Sequence, residues 1–156
     1  MTTTLLAMSS ALPGREKDYA DWYVSQHLGD MRRVPGVVSG SFYGRVDSDA
    51  KTRWAHCGFY DLDRPLDDVL AEVGRRVGGA EMPLTDATDR ERVAFLSLAR
   101  SGPRLTFGDF AGPVALHLVM ATPLAGRDED VAAWSSEFLQ GVPGCVAAQR
   151  FDLAPE

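Results

Sequence analysis

The sequence predicts an α+β fold: a β-α-β-β-α-β unit over residues 1–100, then a partial β-α-β copy over residues 113–156. Three observations predict it. Between Gly14 and Gly36 an apolar and aromatic stripe (Tyr19, Trp22, Tyr23, His27, Leu28, Met31, Val34) recurs at spacings of three and four, as on one buried face of a helix. The two runs behind that helix alternate in character, as strands do. After residue 113 the order of strand, Gly-Arg, helical Trp and Val-Pro-Gly returns.

Residues 3–9 read as the first strand, broken by Pro13-Gly14. The long helix after it must stop at Pro35-Gly36, because proline cannot continue a helix and restricts the residue before it. Residues 37–45 form the second strand, with Val38, Gly40 and Phe42 on one side and Ser39, Ser41, Tyr43 and Arg45 on the other. Asp47-Ser48-Asp49-Ala50 reads as a hairpin loop. In the third strand, residues 53–62, Ala55, Cys57 and Phe59 oppose Trp54, His56, Gly58 and Tyr60. If the smaller apolar side packs on the helices, His56 and Tyr60 face away from them. Pro65 opens a second helix striped by Leu66, Val69, Leu70, Val73 and Val77 and ended by Gly78-Gly79. Thr88-x-x-Glu91 fits a helix or turn cap, and residues 93–100 read as the fourth strand. The unit then has the ferredoxin-like order.

Residues 101–112, with Gly102, Pro103, Gly108 and Gly112, behave as a connecting segment. Setting Gly126-Arg127 on Gly14-Arg15 puts Trp134 on Trp22. Val142-Pro143-Gly144 then falls four residues early against Val34-Pro35-Gly36, close to one helical turn, and the missing turn is the one that would carry the histidine. An open ferredoxin-like sheet is covered by helices on one face only. The other face must find a partner, supplied by the partial copy, a second chain or both, and a homodimer is expected because the partial copy alone offers too little sheet.

The stretch Trp22-Tyr23, His27-Leu28, Val34-Pro35-Gly36-Val37 behind a first strand and a Pro-Gly-Arg helix start resembles the EthD-like branch of the dimeric α/β-barrel superfamily, over roughly residues 3–100. One departure is Gly29, where relatives usually carry proline. The resemblance implies that the open face closes into an α/β barrel, by fusion, dimerisation or both. It also implies cofactor-free proton transfer leading to cyclisation, isomerisation or elimination on a small apolar molecule of aromatic, polyketide-like or lactone type. The alternative it carries is a non-catalytic ligand-binding or accessory role, and a further alternative is an oxygenase on the same scaffold. The family's acid/base residue matches His27.

Composition narrows the classes. A net charge of −6 and a pI near 5.0 provide no positive field for a phosphate backbone, so nucleic acid is not expected as a partner. No apolar run approaches a bilayer span, and the N-terminus lacks the pattern of a signal peptide; no membrane partner and a cytoplasmic location are the expectation. Cys57 and Cys145 have no metal-type spacing and read as buried thiols. No phosphate loop, nucleophile elbow or zinc motif is present, so no cofactor and no metal are expected.

The candidate chemistry therefore rests on three histidines and the aromatics near them. His27 is assigned as general acid or base, with Tyr23 four residues before it on the same helical face. His56 and Tyr60 are assigned as orienting or oxyanion-donating catalytic residues, and Tyr23, Ser41, Tyr43, Trp54 and His117 as substrate-binding residues in one lumen. Asp21 and Asp30 flank His27 and would either orient it or form the solvated side of the helix.

Overall fold

The structure is a computed structural model that describes residues 3–46, 53–106, 118, 125–127, 129–131, 133–134, 137 and 147–153. The chain divides into two compact units, Met1–Arg100 with Asp152–Glu156, and Ser101–Phe151. The elements are β1 (Thr3–Ser9), α1 (Glu16–Trp22), a π-helical turn (Tyr23–His27), α2 (Leu28–Arg32), β2 (Val37–Gly44), β3 (His56–Leu62), α3 (Leu66–Arg76), β4 (Ala94–Thr106) and β5 (Ala147–Leu153). The sheet runs β2-β3-β1-β4-β5 in hydrogen-bonding order. β1 pairs antiparallel with both β3 and β4, and β2 antiparallel with β3. Its first four strands thus have the ferredoxin-like arrangement.

The core of the first unit lies between the helices and one face of the sheet. Leu5 from β1, Tyr60 and Leu62 from β3, Tyr19, Tyr23, Met31 and Val34 from the first helical segment, and Val69 from α3 form one buried cluster. The helical stripe read from the sequence is therefore the packed one. On α3 it is narrower than expected: Val69 is fully buried, while Leu70 and Val77 are exposed. The chain turns at Gly36, where φ is +101° and an added Cβ would lie 2.9 Å from a Val69 methyl, so glycine is required on both counts.

Four expectations change. The helix between Gly14 and Gly36 is not one continuous α-helix, because the Leu28 N–H reaches back five residues to the Tyr23 carbonyl and opens a π-turn over Tyr23–His27. β4 runs on to Thr106, so the first half of the expected connecting segment is strand. Thr88 caps no helix; it bridges Ala11, and the residues after it form a turn in which Asp89 accepts from the Glu91 N–H. Finally, the face of β3 that packs on the helices is the one carrying His56, Gly58 and Tyr60. The helices present Tyr19 and Tyr23 as bulky projections, and a sheet surface with glycines beside its large rings accepts them where Cys57 and Phe59 would not. Residues 129–131, 133, 134 and 137 are helical, with Trp134 exposed. The loop Asp47-Ser48-Asp49-Ala50, Cys145 and His117 lie outside the described residues.

Candidate functional site

The residues that could carry chemistry meet in an aromatic cluster between β2, β3 and the first helical segment. Tyr23 is stacked on Phe42, with centroids 4.0 Å apart, and meets His27 edge-on at 4.8 Å. His27 in turn stacks on Trp22 at 4.7 Å. His56 stacks on Phe42 at 5.5 Å and lies 5.0 Å from the Tyr19 ring. The contacts thus close through Trp22, Tyr19, His56, Phe42, Tyr23 and His27. The hydroxyls fix the rings: Tyr19 donates to Ser9 Oγ at 2.7 Å, the Trp22 indole N–H to the Pro83 carbonyl at 3.3 Å, and the Tyr23 and Tyr60 hydroxyls share a hydrogen bond of 2.5 Å.

The local sequence explains why the two phenols can meet. Register places Gly40 opposite Tyr60 and Gly58 opposite Phe42, so small and large residues complement each other across the hairpin. A Cβ added at Gly58 would sit 2.3 Å from the Tyr23 hydroxyl, and one at Gly40 would sit 3.0 Å from the Tyr60 ring. Both glycines are the space that the tyrosines fill. The Arg32 guanidinium donates to the Gly40 carbonyl at 2.6 Å and ties the end of α2 to this strand.

Burial sets the protonation states. It lowers His27 to about 4, against the opposing pull of Asp30, and lowers His56 together with the nearby Arg45, so both imidazoles are neutral near pH 7. Burial pushes Tyr60 up to about 12, with the Tyr23 hydrogen bond pulling back, and it pushes Tyr23 further up. Both phenols keep their protons. One O–H is used between them, which leaves the second to donate elsewhere. The Nδ1 atoms of His27 and His56 are buried without a hydrogen-bond partner.

The predicted set of residues is divided by the sheet. His27, Tyr23, His56 and Tyr60 come together on the helix side. Ser41 and Tyr43 pair with Phe59 and Cys57 on the other face, where Tyr43 meets Phe59 edge-on, so the single lumen expected for all of them is corrected to two faces. Trp54 precedes β3 and is half-buried. The other face also carries buried Thr4 and Leu6, and Asp61, which accepts hydrogen bonds from Thr4, Ser39 and Arg100 at 2.8–2.9 Å.

Sequence reasoning overlooked Phe42, Gly40 and Gly58, and it left Asp30 undecided. Asp30 is 3% exposed and bonded by Arg33 through one oxygen, whereas Asp21 is exposed and paired with Lys17. The alternation of Gly40 with Phe42 and of Gly58 with Tyr60 was the available signal for the glycines. A surface depression of about 450 Å³ is lined by Glu72, Arg75, Arg76, Gly79, Ala80 and Glu81 and shares no residue with the cluster. Among the described residues no group of three or more His, Cys, Asp or Glu could hold a metal ion, and no helix is long and apolar enough to cross a membrane.

No family model matches this chain, and no curated protein matches it. Among solved structures it is similar to an ethyl tert-butyl ether D (EthD) family protein from Bacillus halodurans C-125, with a TM-score of 0.40 and 14% identity over 62% of this chain and 96% of that one.

Proposed function

We propose that this protein is a cofactor-independent enzyme that moves a proton on a small, largely apolar organic molecule of aromatic, polyketide-like or lactone type, leading to cyclisation, isomerisation or elimination. One observation carries the reading: a neutral imidazole, His27, lies edge-on against a buried phenol whose hydroxyl is bonded to a second phenol. A neutral imidazole accepts a proton from an acidic C–H or phenolic O–H. The phenol pair keeps one O–H for the substrate oxygen on which charge develops, and its donation is strengthened because the same oxygen accepts from the other phenol. The rings of Trp22, Phe42 and Tyr19 make the surroundings of the two imidazoles apolar, which favours an apolar substrate. His56 belongs to the same cluster and serves as a second orienting group.

Hydrogen–deuterium exchange tests this directly. Aryl ketones and unsaturated lactones incubated with the protein in D2O should lose their acidic C–H signal faster than in buffer, and His27→Ala should abolish the excess. A His27→Ala protein with the wild-type exchange rate overturns the assignment.

A second reading is a non-catalytic binding protein for the same class of molecule. It is favoured by the same burial, since an imidazole held at about 4 is a weak base at pH 7. Probe binding followed by fluorescence of the tryptophans, without accelerated exchange, would select it. The reading also takes a second copy of this chain as partner, which light scattering tests against twice the 16.9 kDa of one chain.

A further inference from the structure

Asp30 and His27 each keep one buried polar atom without a partner, Asp30 Oδ2 and His27 Nδ1. They are three residues apart across the junction of the π-helical turn and α2, a spacing that makes side chains neighbours on one helical face. Helical side chains lean towards the N-terminus, so Asp30 leans over the turn that carries His27. Arg33 holds the other carboxylate oxygen, Oδ1, which leaves Oδ2 buried without a hydrogen-bond partner. A buried carboxylate oxygen and a buried ring nitrogen left unmatched three residues apart on one helical segment are an arrangement a fold tolerates only at a cost, and each is what the other lacks.

We propose that Asp30 is the positioning residue of His27: its Oδ2 accepts a hydrogen bond from His27 Nδ1–H and so presents Nε2 to the substrate as the proton acceptor. This rests on the reading of His27 as the base. The carboxylate already opposes the burial that holds the imidazole down, and the hydrogen bond adds to that by stabilising the imidazolium formed when the substrate proton arrives. The π-turn has a role here as well, since it sets His27 at the start of the turn over which Asp30 leans.

The test is the tautomer of His27, read from its ring nitrogen shifts by ¹⁵N NMR at pH 7, with the resonance assigned by its loss in His27→Gln. Wild-type protein should show Nδ1–H, and Asp30→Ala should change it to Nε2–H. Asp30→Asn, which keeps an acceptor oxygen but not the charge, should retain Nδ1–H while its imidazole titrates at lower pH than in the wild type. An Nε2–H tautomer in the wild type, or an Nδ1–H tautomer that survives in Asp30→Ala, overturns the proposal. Should Asp30→Ala not fold, the titration decides: a midpoint that falls in Asp30→Asn supports the pairing, and an unchanged one overturns it. The two readings fail separately. An Nε2–H tautomer with proton exchange that still depends on His27 removes Asp30 alone, and an Nδ1–H tautomer with exchange indifferent to His27 removes the base alone.

Discussion

Replacing Gly58 by alanine adds one methyl group at the point where the hairpin and the first helical segment come closest. The backbone at Gly58 is extended and accepts any residue, so alanine meets no conformational penalty; strands in fact favour it over glycine by about 0.5–1 kcal/mol. The cost is steric. The new Cβ would stand 2.3 Å from the Tyr23 hydroxyl oxygen and about 3 Å from the Tyr60 ring, well inside the ~3.5 Å at which such atoms rest in contact. Tyr23 has nowhere to retreat, since its ring is stacked on Phe42 and set against His27 and Tyr19. Overpacking of this kind costs about 1–3 kcal/mol, and loss of the Tyr23–Tyr60 hydrogen bond adds about 1 kcal/mol, which against the gain over glycine leaves a net destabilisation of about 1–3.5 kcal/mol. Urea unfolding followed by tryptophan fluorescence should show a lower midpoint at unchanged slope. Tyr23→Phe removes the oxygen that the methyl group strikes, so the double variant should be more stable than the sum of the single losses predicts, by at least about 1 kcal/mol. Gly58→Ala at wild-type stability, or strict additivity with Tyr23→Phe, would refute the packing argument.

Tyr60→Phe leaves the Tyr23 hydroxyl buried without its partner and should cost about 1–3 kcal/mol in the same urea experiment, while Tyr43→Phe on the other face should cost less. His56 titrates below 6.5 in the fold, so the unfolded chain takes up its proton first; this contribution to stability is intact above about pH 6.5 and is lost as pH falls below it. Thermal unfolding of wild type and His56→Gln across that range should show the wild type losing more stability on acidification, and parallel curves would contradict it. Burial pushes the Asp61 carboxyl up, but hydrogen bonds from Thr4 and Ser39 and the charge of Arg100 outweigh it and hold the group below its ordinary value. Asp61→Asn should therefore lower the unfolding temperature at pH 7, with the gap to wild type closing as pH falls below about 4.

Several features were legible because they are written locally. Tyr19, Tyr23, Met31 and Val34 announce a buried helical face by spacing alone, and all four are buried. Pro35-Gly36 marks the stop, and the first three strands begin and end within a few residues of their expected places. His27 and Tyr23 were readable as neighbours for the same reason. Which side of β3 packs on the helices was not readable, since alternation separates His56, Gly58 and Tyr60 from Cys57 and Phe59 without saying which set lies inward. The grouping of Ser41 and Tyr43 with His56 and Tyr60 failed on register: Ser41 lies opposite Phe59 and Tyr43 opposite Cys57, and an irregularity between Val37 and Ser39 adds a step that no pattern in the strand announces. The continuation of β4 through Gly102 and Pro103 was hidden because both residues argue against strand when read by themselves.

By itself the sequence determined the order of elements in the first unit, the inward stripe of the first helical segment and the residue types available for acid/base chemistry, because helical and strand periodicities are properties of neighbouring residues. The tertiary structure decided which of those residues meet. The fit of Tyr23 over Gly58, the inward turn of His56 and Tyr60 and the burial of Asp30 depend on matching volumes and register between segments distant in the chain, and burial in turn sets the charge state of the two histidines and two tyrosines. That energy is shared among surfaces that become neighbours only on folding, so no single stretch of the sequence carries it.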